Sequence, residues 1–420
     1  MSDNTRYLSA TREEFLRLNG AAETTEPLGM QTIQNAAVGP WRPNIRLKKQ
    51  PIKNLKIWKC AQLAPAQDLL IGKAGRKPPR RENYMDKDVI LLGYAESFFG
   101  HFLADSMSRA WVTLDEKYAD AEFVAVRSPD MTDFMEKQAR ELYALAGVKN
   151  LTLIREKTRF KSVTIPDSSF DYSRGLFHKK FADTFARIAD GAACGRIPGS
   201  PVARHRALAR RNNTKKIYLS RTHLDNNPTL GEEGIEKIFK DNGYAVVHPQ
   251  ELPLRDMINA AANAAHIAGL EGTALHYSLF SRDGINLICI NRYNAAIPMQ
   301  ILIDKLKGIN ATYIDASVDP FSQRKNESPL TIVGLNGNMR RFLDDNGFGY
   351  DADAMRAADV RNMKIFMKIW RARHRWLPKW LAQFITVLIP LRKWRKSARR
   401  ALGVSFQGIT RKEISDRVTE

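Results

Sequence analysis

Cysteine is scarce in this chain: its 420 residues hold three, Cys60, Cys194 and Cys289. They lie far apart and form no Cys-x-x-Cys pair, which argues against a disulfide framework or a cysteine zinc site and fits a reducing compartment. No Gly-x-Gly-x-x-Gly follows a strand pattern, so a nucleotide-dependent oxidoreductase is disfavoured. The opening residues MSDNTRYLSATREEFLRLNG contain no apolar h-region. No secretory signal is readable there, and the expected setting is cytoplasmic. Internal repeats, long low-complexity tracts and RNA- or DNA-binding motifs are also missing.

Acidic residues are absent from one long segment. Between Val360 and Lys412 there is no Asp or Glu but 15 Lys or Arg, so much of the net charge of +21 belongs to this tail. Four of the seven tryptophans, Trp370, Trp376, Trp380 and Trp394, lie in the same segment. Its apolar run, Trp380 to Leu391, has 12 residues, well short of the ~20 that span a bilayer. Flanked by Lys379, Arg392, Lys393, Arg395 and Lys396, the run fits an interfacial helix on anionic lipid. The competing reading packs the run on the protein and leaves only its basic flanks in water. Basic and aromatic residues interleaved in this way can also bind single-stranded nucleic acid, the least favoured of the three readings.

The clearest pattern runs from Lys216 to Phe280. Lys216 to Ser220 reads as a buried strand; Ile235, Ile238 and Phe239 recur at helical spacing, and Asn242-Gly243 stops that helix. Tyr244 to His248 is the next strand. A helix carrying Met257, Ile258, Ala261 and Ala262 follows, then strand His266 to Leu270 and a turn, Glu271-Gly272-Thr273, opening a short helix. Strand Asn286 to Ile290, a helix over Pro298 to Lys307 and strand Ala311 to Ile314 complete the unit. Alternating strands and helices imply a parallel sheet with right-handed crossovers, a Rossmann-like domain. Ligands of such sheets sit beyond the carboxyl ends of the strands, where Arg221, Glu271 and His276 fall.

A second α/β unit lies upstream. Val89 to Gly93, Phe123 to Arg127, Leu151 to Arg155 and Val163 to Pro166 read as strands, with helices over Phe102 to Tyr118, Met131 to Ala146 and Phe177 to Ala189. The length favours two domains plus appendages. The expected division is an irregular N-terminal arm over 1–84, Rossmann-like domains over 85–205 and 206–330, and a basic, Trp-rich helical extension over 331–420. Ala192 to Lys216, with Pro198, Gly199 and Pro201, reads as the linker, and Lys73 to Arg81 as a loop.

Within the upstream unit, His101, Asp105, Ser108 and Arg109 fall at i, i+4, i+7 and i+8 of a helix and form one polar stripe. Phe102, Leu103, Met107, Ala110, Trp111 and Leu114 take the apolar remainder. Such a stripe faces either solvent, with a weak Asp105 to Arg109 pair, or a cleft. In the second case a neutral His101 imidazole can accept a proton.

Taken together, these blocks resemble a known family. The run Gly100, His101, Phe102, Leu103, Asp105, Met107, Arg109 is similar to the N-terminal motif of glycosyltransferase family 61. Tyr218 to Arg221, the pair Glu232-Glu233, Asp241 to Pro249 and Gly269 to Phe280 are similar to its later blocks, over about residues 88 to 315. The resemblance implies an inverting enzyme of GT-B type, with two Rossmann-like domains facing a cleft and a nucleotide-sugar donor held mainly by the C-terminal one. It places Arg221 near the donor diphosphate, where a guanidinium suits phosphate oxygens. The N–H groups after Glu271-Gly272-Thr273 face the phosphates as well. Glu271, repelled by phosphate, belongs nearer the donor's ribose or sugar hydroxyls. Many members carry His-Gly-Ala at Glu271-Gly272-Thr273, so their donor preferences do not transfer.

Three residues keep two readings each. Glu232 closes a capping box with Thr229, leaving Glu233 or neither for the ligand. His276 is either a donor contact or a core histidine. Asp351-Ala352-Asp353 matches a metal-binding triplet but sits outside both domains, where helix capping by solvated acids explains it.

The resulting expectation is direct displacement at the anomeric carbon, with His101 as base and Asp105 as runner-up or orienting partner, Arg109 in the acceptor cleft, and no metal or other cofactor. The donor is a nucleotide-sugar, UDP-linked by preference. The acceptor is a saccharide or lipid-linked glycan of a capsule or other surface polysaccharide, reached at the inner face of the plasma membrane through the 360–412 tail. The alternative is a non-catalytic membrane- or nucleic-acid-binding protein on an α/β scaffold.

Overall fold

A computed structural model describes residues 5–20, 22–40, 56–59, 68–73, 83–194, 216–225, 228–321 and 330–374. Most of the expected linker, the Lys73 to Arg81 loop and the tail from 375 onward, with Trp376, Trp380, Trp394 and the apolar run, lie outside the described residues.

Two sheets organise the chain. The first has seven strands: β1 (Met30–Pro40), β2 (Lys56–Lys59), β3 (Asp68–Lys73), β4 (Asn83–Ala95), β5 (Glu122–Arg127), β6 (Asn150–Ile154) and β7 (Thr158–Pro166). Their order is β2-β3-β1-β7-β4-β5-β6, with β7, β4, β5 and β6 parallel and the other pairings antiparallel. The second sheet holds β8 (Lys216–Leu219), β9 (Ala245–Val247), β10 (His266–Leu270), β11 (Asn286–Asn291) and β12 (Asn310–Asp315). It is wholly parallel, in the order β9-β8-β10-β11-β12. That is the doubly wound order 2-1-3-4-5, whose ligand crevice opens at the carboxyl ends of its first and third strands. Here those strands are β8 and β10.

The helices are α1 (Arg12–Leu18), α2 (Phe99–Ala104), α3 (Asp133–Leu145), α4 (Lys179–Cys194), α5 (Glu232–Asp241), α6 (Leu254–Asn263), α7 (Pro298–Leu306), α8 (Gly337–Asp345) and α9 (Ala352–His374). The expected elements of the second sheet appear nearly residue for residue, because buried strands and amphipathic helices alternate with little ambiguity there. The long helix expected over Phe102 to Tyr118 does not form. α2 ends at Ala104 and a 3-10 helix runs from Ser106 to Leu114. Ser106 Oγ donates to Tyr94 O at 2.7 Å and Ser108 Oγ to Asp105 O at 2.7 Å, so hydroxyls compete with the regular backbone ladder.

The described residues of the expected arm over 1–84 form sheet and packed helix instead of irregular chain. β1 pairs with both β3 and β7 inside the first sheet, its half-polar sequence suiting a strand with one wet face. Residues 7–15 dock instead on the second sheet: Phe15 packs on Tyr313, Tyr7 on Phe342, and Asp315 Oδ2 accepts the N–H groups of Ser9 and Thr11 at 2.7 and 3.1 Å. α9 buries Phe366 and Ile369 against Leu230, Leu330 and Ile332. The described part of the expected tail is therefore packed on protein. Among the described residues, no helix is long and apolar enough to cross a membrane.

One apolar cluster joins the two sheets. It runs from Leu92 and Phe102 through Phe181 and Phe185 of α4 to Met257, Ile267 and Phe280. The Phe185 and Phe280 rings meet edge-on at 5.1 Å. Burial of such aromatic and aliphatic surface, worth roughly 1.5–3 kcal/mol per large side chain, fixes the sheets against each other and sets the spacing of the groups described next.

Candidate active site

The second sheet contributes a cationic cradle. Arg221 follows β8, Glu271 and Gly272 follow β10, and Arg292 follows β11, so three neighbouring strand ends converge. Gly272 has φ +146°, and a Cβ there would lie 3.4 Å from Arg221 Nη1 and 3.7 Å from Arg292 Nη2. Both guanidiniums therefore lie at contact distance from this backbone, and the positive φ is what calls for glycine. Arg221 Nε and Arg292 Nη1 are buried without hydrogen-bond partners among the described residues. Burial, followed by the charge of Arg292, pulls the Arg221 pKa down to about 10. A buried and a partly buried cation with unused N–H groups can receive an anion.

Acidic groups hold this cradle in place. Glu271 is buried, accepts Arg292 Nε–H at its backbone oxygen (3.0 Å) and the Arg292 N–H at Oε2 (3.4 Å), and thereby orients that arginine. Glu232 is fully buried and its Oε1 accepts the Arg221 N–H at 2.7 Å, while Oε2 has no hydrogen-bond partner. Burial pushes the Glu232 carboxyl up to about 7, against the opposing pull of the Arg221 N–H and charge. The expected capping box is absent. Gly231 occupies the cap without any side-chain bond, and Thr229 pairs Oγ1 to Oγ1 with Thr331 at 2.8 Å in a two-stranded ladder, turning Glu232 inward. Glu233, the acid assigned to the ligand, is exposed on the first turn of α5. Ser220 and Thr222 hydroxyls both donate to Glu236 Oε2, at 2.6 and 2.8 Å, and brace the loop carrying Arg221.

The first sheet contributes an acid–imidazole pair. His101 Nδ1 lies 3.0 Å from Asp105 Oδ2, with the imidazole about one-third exposed and the carboxylate nearly buried. Tyr172 donates to the same Oδ2 at 3.5 Å. Burial raises the Asp105 pKa, and the imidazole pulls against it. Glu96, next after β4, is buried and pushed up to about 7 by burial and by the charge of Asp105. Arg109 leaves the stripe. At three residues per turn the 3-10 segment carries it away from His101, and its buried Nε donates to Pro166 O at 3.0 Å, at the end of β7.

Close packing brings the two groups together. A Cβ on Gly100 would lie 2.8 Å from Thr273 Oγ1 and 3.1 Å from His276 Cδ2, and the Phe99 ring sits 5.3 Å from Tyr277. Gly100 precedes His101 and Thr273 follows Gly272, so the imidazole pair and the cradle are separated by one tight contact. His276 itself is buried, with Nδ1 2.8 Å from Gln300 Oε1; Gln300 Nε2 then donates to Asp304 Oδ1 at 2.8 Å. Because the Gln300 amide gives its N–H to a carboxylate, its oxygen faces the imidazole and Nδ1 carries the proton.

His101, Asp105, Arg221, Gly272 and Thr273 are thus gathered, and Glu233 and Arg109 are not. Arg292 was missed, although the strand-end rule that selected Arg221 applies equally to the residue after β11. Glu96 obeys the same rule after β4. Gln300 and Tyr172 carry no sequence signal, since only the fold brings them to His276 and Asp105. The Asp351-Ala352-Asp353 triplet caps α9: Asp351 Oδ1 accepts the N–H groups of Asp353 and Ala354 at 3.1 and 2.9 Å. Among the described residues no group of three His, Cys, Asp or Glu side chains is placed to hold a metal ion.

Paired arginines at the strand ends of a parallel α/β sheet can receive an anionic group, and the imidazole–carboxylate pair on the neighbouring unit can exchange a proton. The family comparison makes this particular. Residues 99–288 match the family model described as Glycosyltransferase 61. Over this stretch, a little under half of the chain, the protein is similar to glycosyltransferase family 61, which supports glycosyl transfer as its activity. The matched stretch opens one residue before Gly100 and ends inside β11, just short of Arg292. None of the curated proteins matches the chain.

Proposed function

We propose that the protein transfers a sugar, with inversion, from a nucleotide-sugar donor to a saccharide hydroxyl during assembly of a capsule or other surface polysaccharide. The observation that carries this reading is the convergence of Arg221 and Arg292 on Gly272. Two guanidiniums and the N–H groups opening the 273–280 turn are a diphosphate receptor, and they neutralise the charge that builds on a departing nucleoside diphosphate. A scheme with this much cationic charge calls for no bridging metal. UDP is the preferred nucleotide because it is the commoner donor nucleotide in the family.

On the acceptor side, the Asp105 carboxylate accepts a hydrogen bond from the Nδ1–H of His101, which leaves Nε2 with a free lone pair. Nε2 then removes the proton of the acceptor hydroxyl as its oxygen attacks the anomeric carbon, and the C–O bond to the diphosphate breaks on the opposite face. The imidazolium formed is stabilised by Asp105, as in other base–carboxylate pairs. The two α/β units act as the halves of a GT-B arrangement. The basic, Trp-rich segment over 360–412 brings the enzyme to anionic lipid on the cytoplasmic side, where a lipid-linked acceptor is presented.

Ligand-observed NMR against UDP-, GDP- and CMP-sugars, followed by product analysis, tests the donor reading. Binding of one class that is lost in Arg221→Ala and Arg292→Ala supports it, and indifference to all three overturns it. Liposome flotation of the full chain and of a chain cut after His374, which keeps the packed residues of α9, tests the membrane role. Equal flotation of both would remove it.

A further inference from the structure

The cradle leaves open where the nucleoside of the donor lies. Its phosphates are centred on Gly272, and the reacting sugar must face His101 across the Gly100 to Thr273 contact. The nucleoside therefore extends along the strand ends, toward β12 or toward β9. The β12 side is filled by the chain itself: Asp315 accepts from Ser9 N–H, Thr11 N–H and Thr11 Oγ1 at 2.7, 3.1 and 2.6 Å and from Asn291 Nδ2 at 2.9 Å, while Glu14 Oε2 accepts the Ala296 N–H at 2.9 Å. That leaves the β9 side.

Two histidines stand there. His223 lies in the turn closed by the Leu224 N–H to Arg221 O bond, and His248 directly follows β9, beside Ser220, whose N–H donates to Val247 O. Their rings are stacked, with centroids 3.7 Å apart and planes at 3°. His223 Nδ1 is 2.6 Å from Glu251 Oε1, which fixes the ring's rotation, and 54% of its side chain is exposed. One face rests on His248, and the rest of the ring stands open at the end of the sheet that carries β9. His248 is the inner ring of the stack, its Nδ1 buried, and it backs the exposed ring of His223.

We propose that the His223–His248 stack is the nucleobase platform of the donor site, with the base lying on the exposed face of His223 and His248 backing that ring from the other side. This rests on the nucleotide-sugar reading above. An aromatic face is the surface on which every base stacks, and removing one such ring typically costs about 1–3 kcal/mol. Glu251 supports the platform as a positioning residue through its bond to His223 Nδ1.

The test compares ligands that share phosphates but differ in having a base. UDP, GDP and inorganic pyrophosphate are titrated calorimetrically into the full chain and into His223→Ala and His223→Phe. His223 is exposed, so both variants keep the fold, which circular dichroism verifies. His223→Ala is expected to weaken the nucleoside diphosphate roughly tenfold while leaving pyrophosphate unchanged. His223→Phe, which restores a stacking face, is expected to recover most of that loss. Equal weakening of nucleotide and pyrophosphate, or no effect on either, would overturn the platform while leaving the donor reading standing. A wild-type chain that binds pyrophosphate but neither nucleotide would overturn both.

Discussion

Arg221 and Arg292, 71 positions apart in the chain, bring Nη1 and Nη2 to within 3.4 and 3.7 Å of the position a Gly272 side chain would occupy. Neither could rest there on burial alone, because two like charges in a dry site repel unless an anion or acid lies near. Glu271 and Glu232 moderate that repulsion through the bonds to the two backbones. Each arginine should therefore contribute at least one charge-assisted bond to a diphosphate, about 1.5–3 kcal/mol. Arg292→Ala is expected to raise the nucleoside diphosphate Kd roughly ten- to hundredfold by calorimetry. Arg292→Lys should recover only part, since an ammonium lacks the planar fork.

His101 and Asp105 should separate chemistry from donor binding. His101→Ala is expected to lower kcat by about 10²–10⁴ with nucleotide affinity unchanged. Asp105→Asn should lower kcat with the same selectivity, because an amide no longer fixes the imidazole tautomer. Single-turnover rates beside calorimetric Kd values check both. A parallel loss of nucleotide affinity would place the pair in donor binding instead.

Gly100 seals the two sheets. In Gly100→Ala the new methyl meets Thr273 Oγ1 at 2.8 Å and His276 Cδ2 at 3.1 Å, an overpacking expected to cost about 1–3 kcal/mol. Adding Thr273→Ala removes the nearer clash and should return part of that stability. Urea denaturation of the single and double variants measures the coupling.

Glu232 links donor affinity to pH. Its carboxyl is pushed up to about 7 by burial, with Arg221 opposing, Glu233 adding to the rise and Arg292 pulling it down. An anion bound in the cradle favours the protonated acid further, so binding takes up a proton. Affinity should then fall as pH rises through about 7. Glu232→Gln is expected to flatten that dependence and to bind more tightly than wild type at pH ~8. Calorimetry in buffers of different ionisation enthalpy counts the proton.

Asp304 does the same for stability, away from the substrate. Fully buried, it accepts from Tyr313 Oη–H and from Gln300 Nε2–H, yet burial dominates and pushes its carboxyl up to about 7. A folded-state value above the unfolded one means stability is fully present below the unfolded pKa and is lost as pH rises toward 7. The shift corresponds to on the order of 4 kcal/mol. Asp304→Asn should remove this decline between pH ~4 and ~7 in guanidinium denaturation curves. An unchanged pH slope would show that the pair with Tyr313 already compensates the burial.

Much of this was written in one dimension. Strands from Lys216 to Asp315 could be read because buried runs and helical periodicity alternate there, and the strand-end rule then marks Arg221, Glu271 and Gly272. That rule also marks Arg292 and Glu96, which are adjacent to clear strands. Arg109 misled because a helical stripe presumes 3.6 residues per turn, and the hydroxyls of Ser106 and Ser108 tighten that segment. Glu232 misled because a capping box and a buried acid share the same local sequence.

The sequence by itself determined the α/β class, the doubly wound unit and the chemistry of its strand-end residues, because hydrophobic periodicity and residue type are local properties. Tertiary structure alone decided that Arg221 and Arg292 meet beside Gly272, that Glu232 faces inward while Glu233 faces water, and that residues 9–11 cover the end of the sheet at β12. Each depends on which strands become neighbours and on contacts between segments hundreds of residues apart. Those distances are set by packing, which no local pattern encodes.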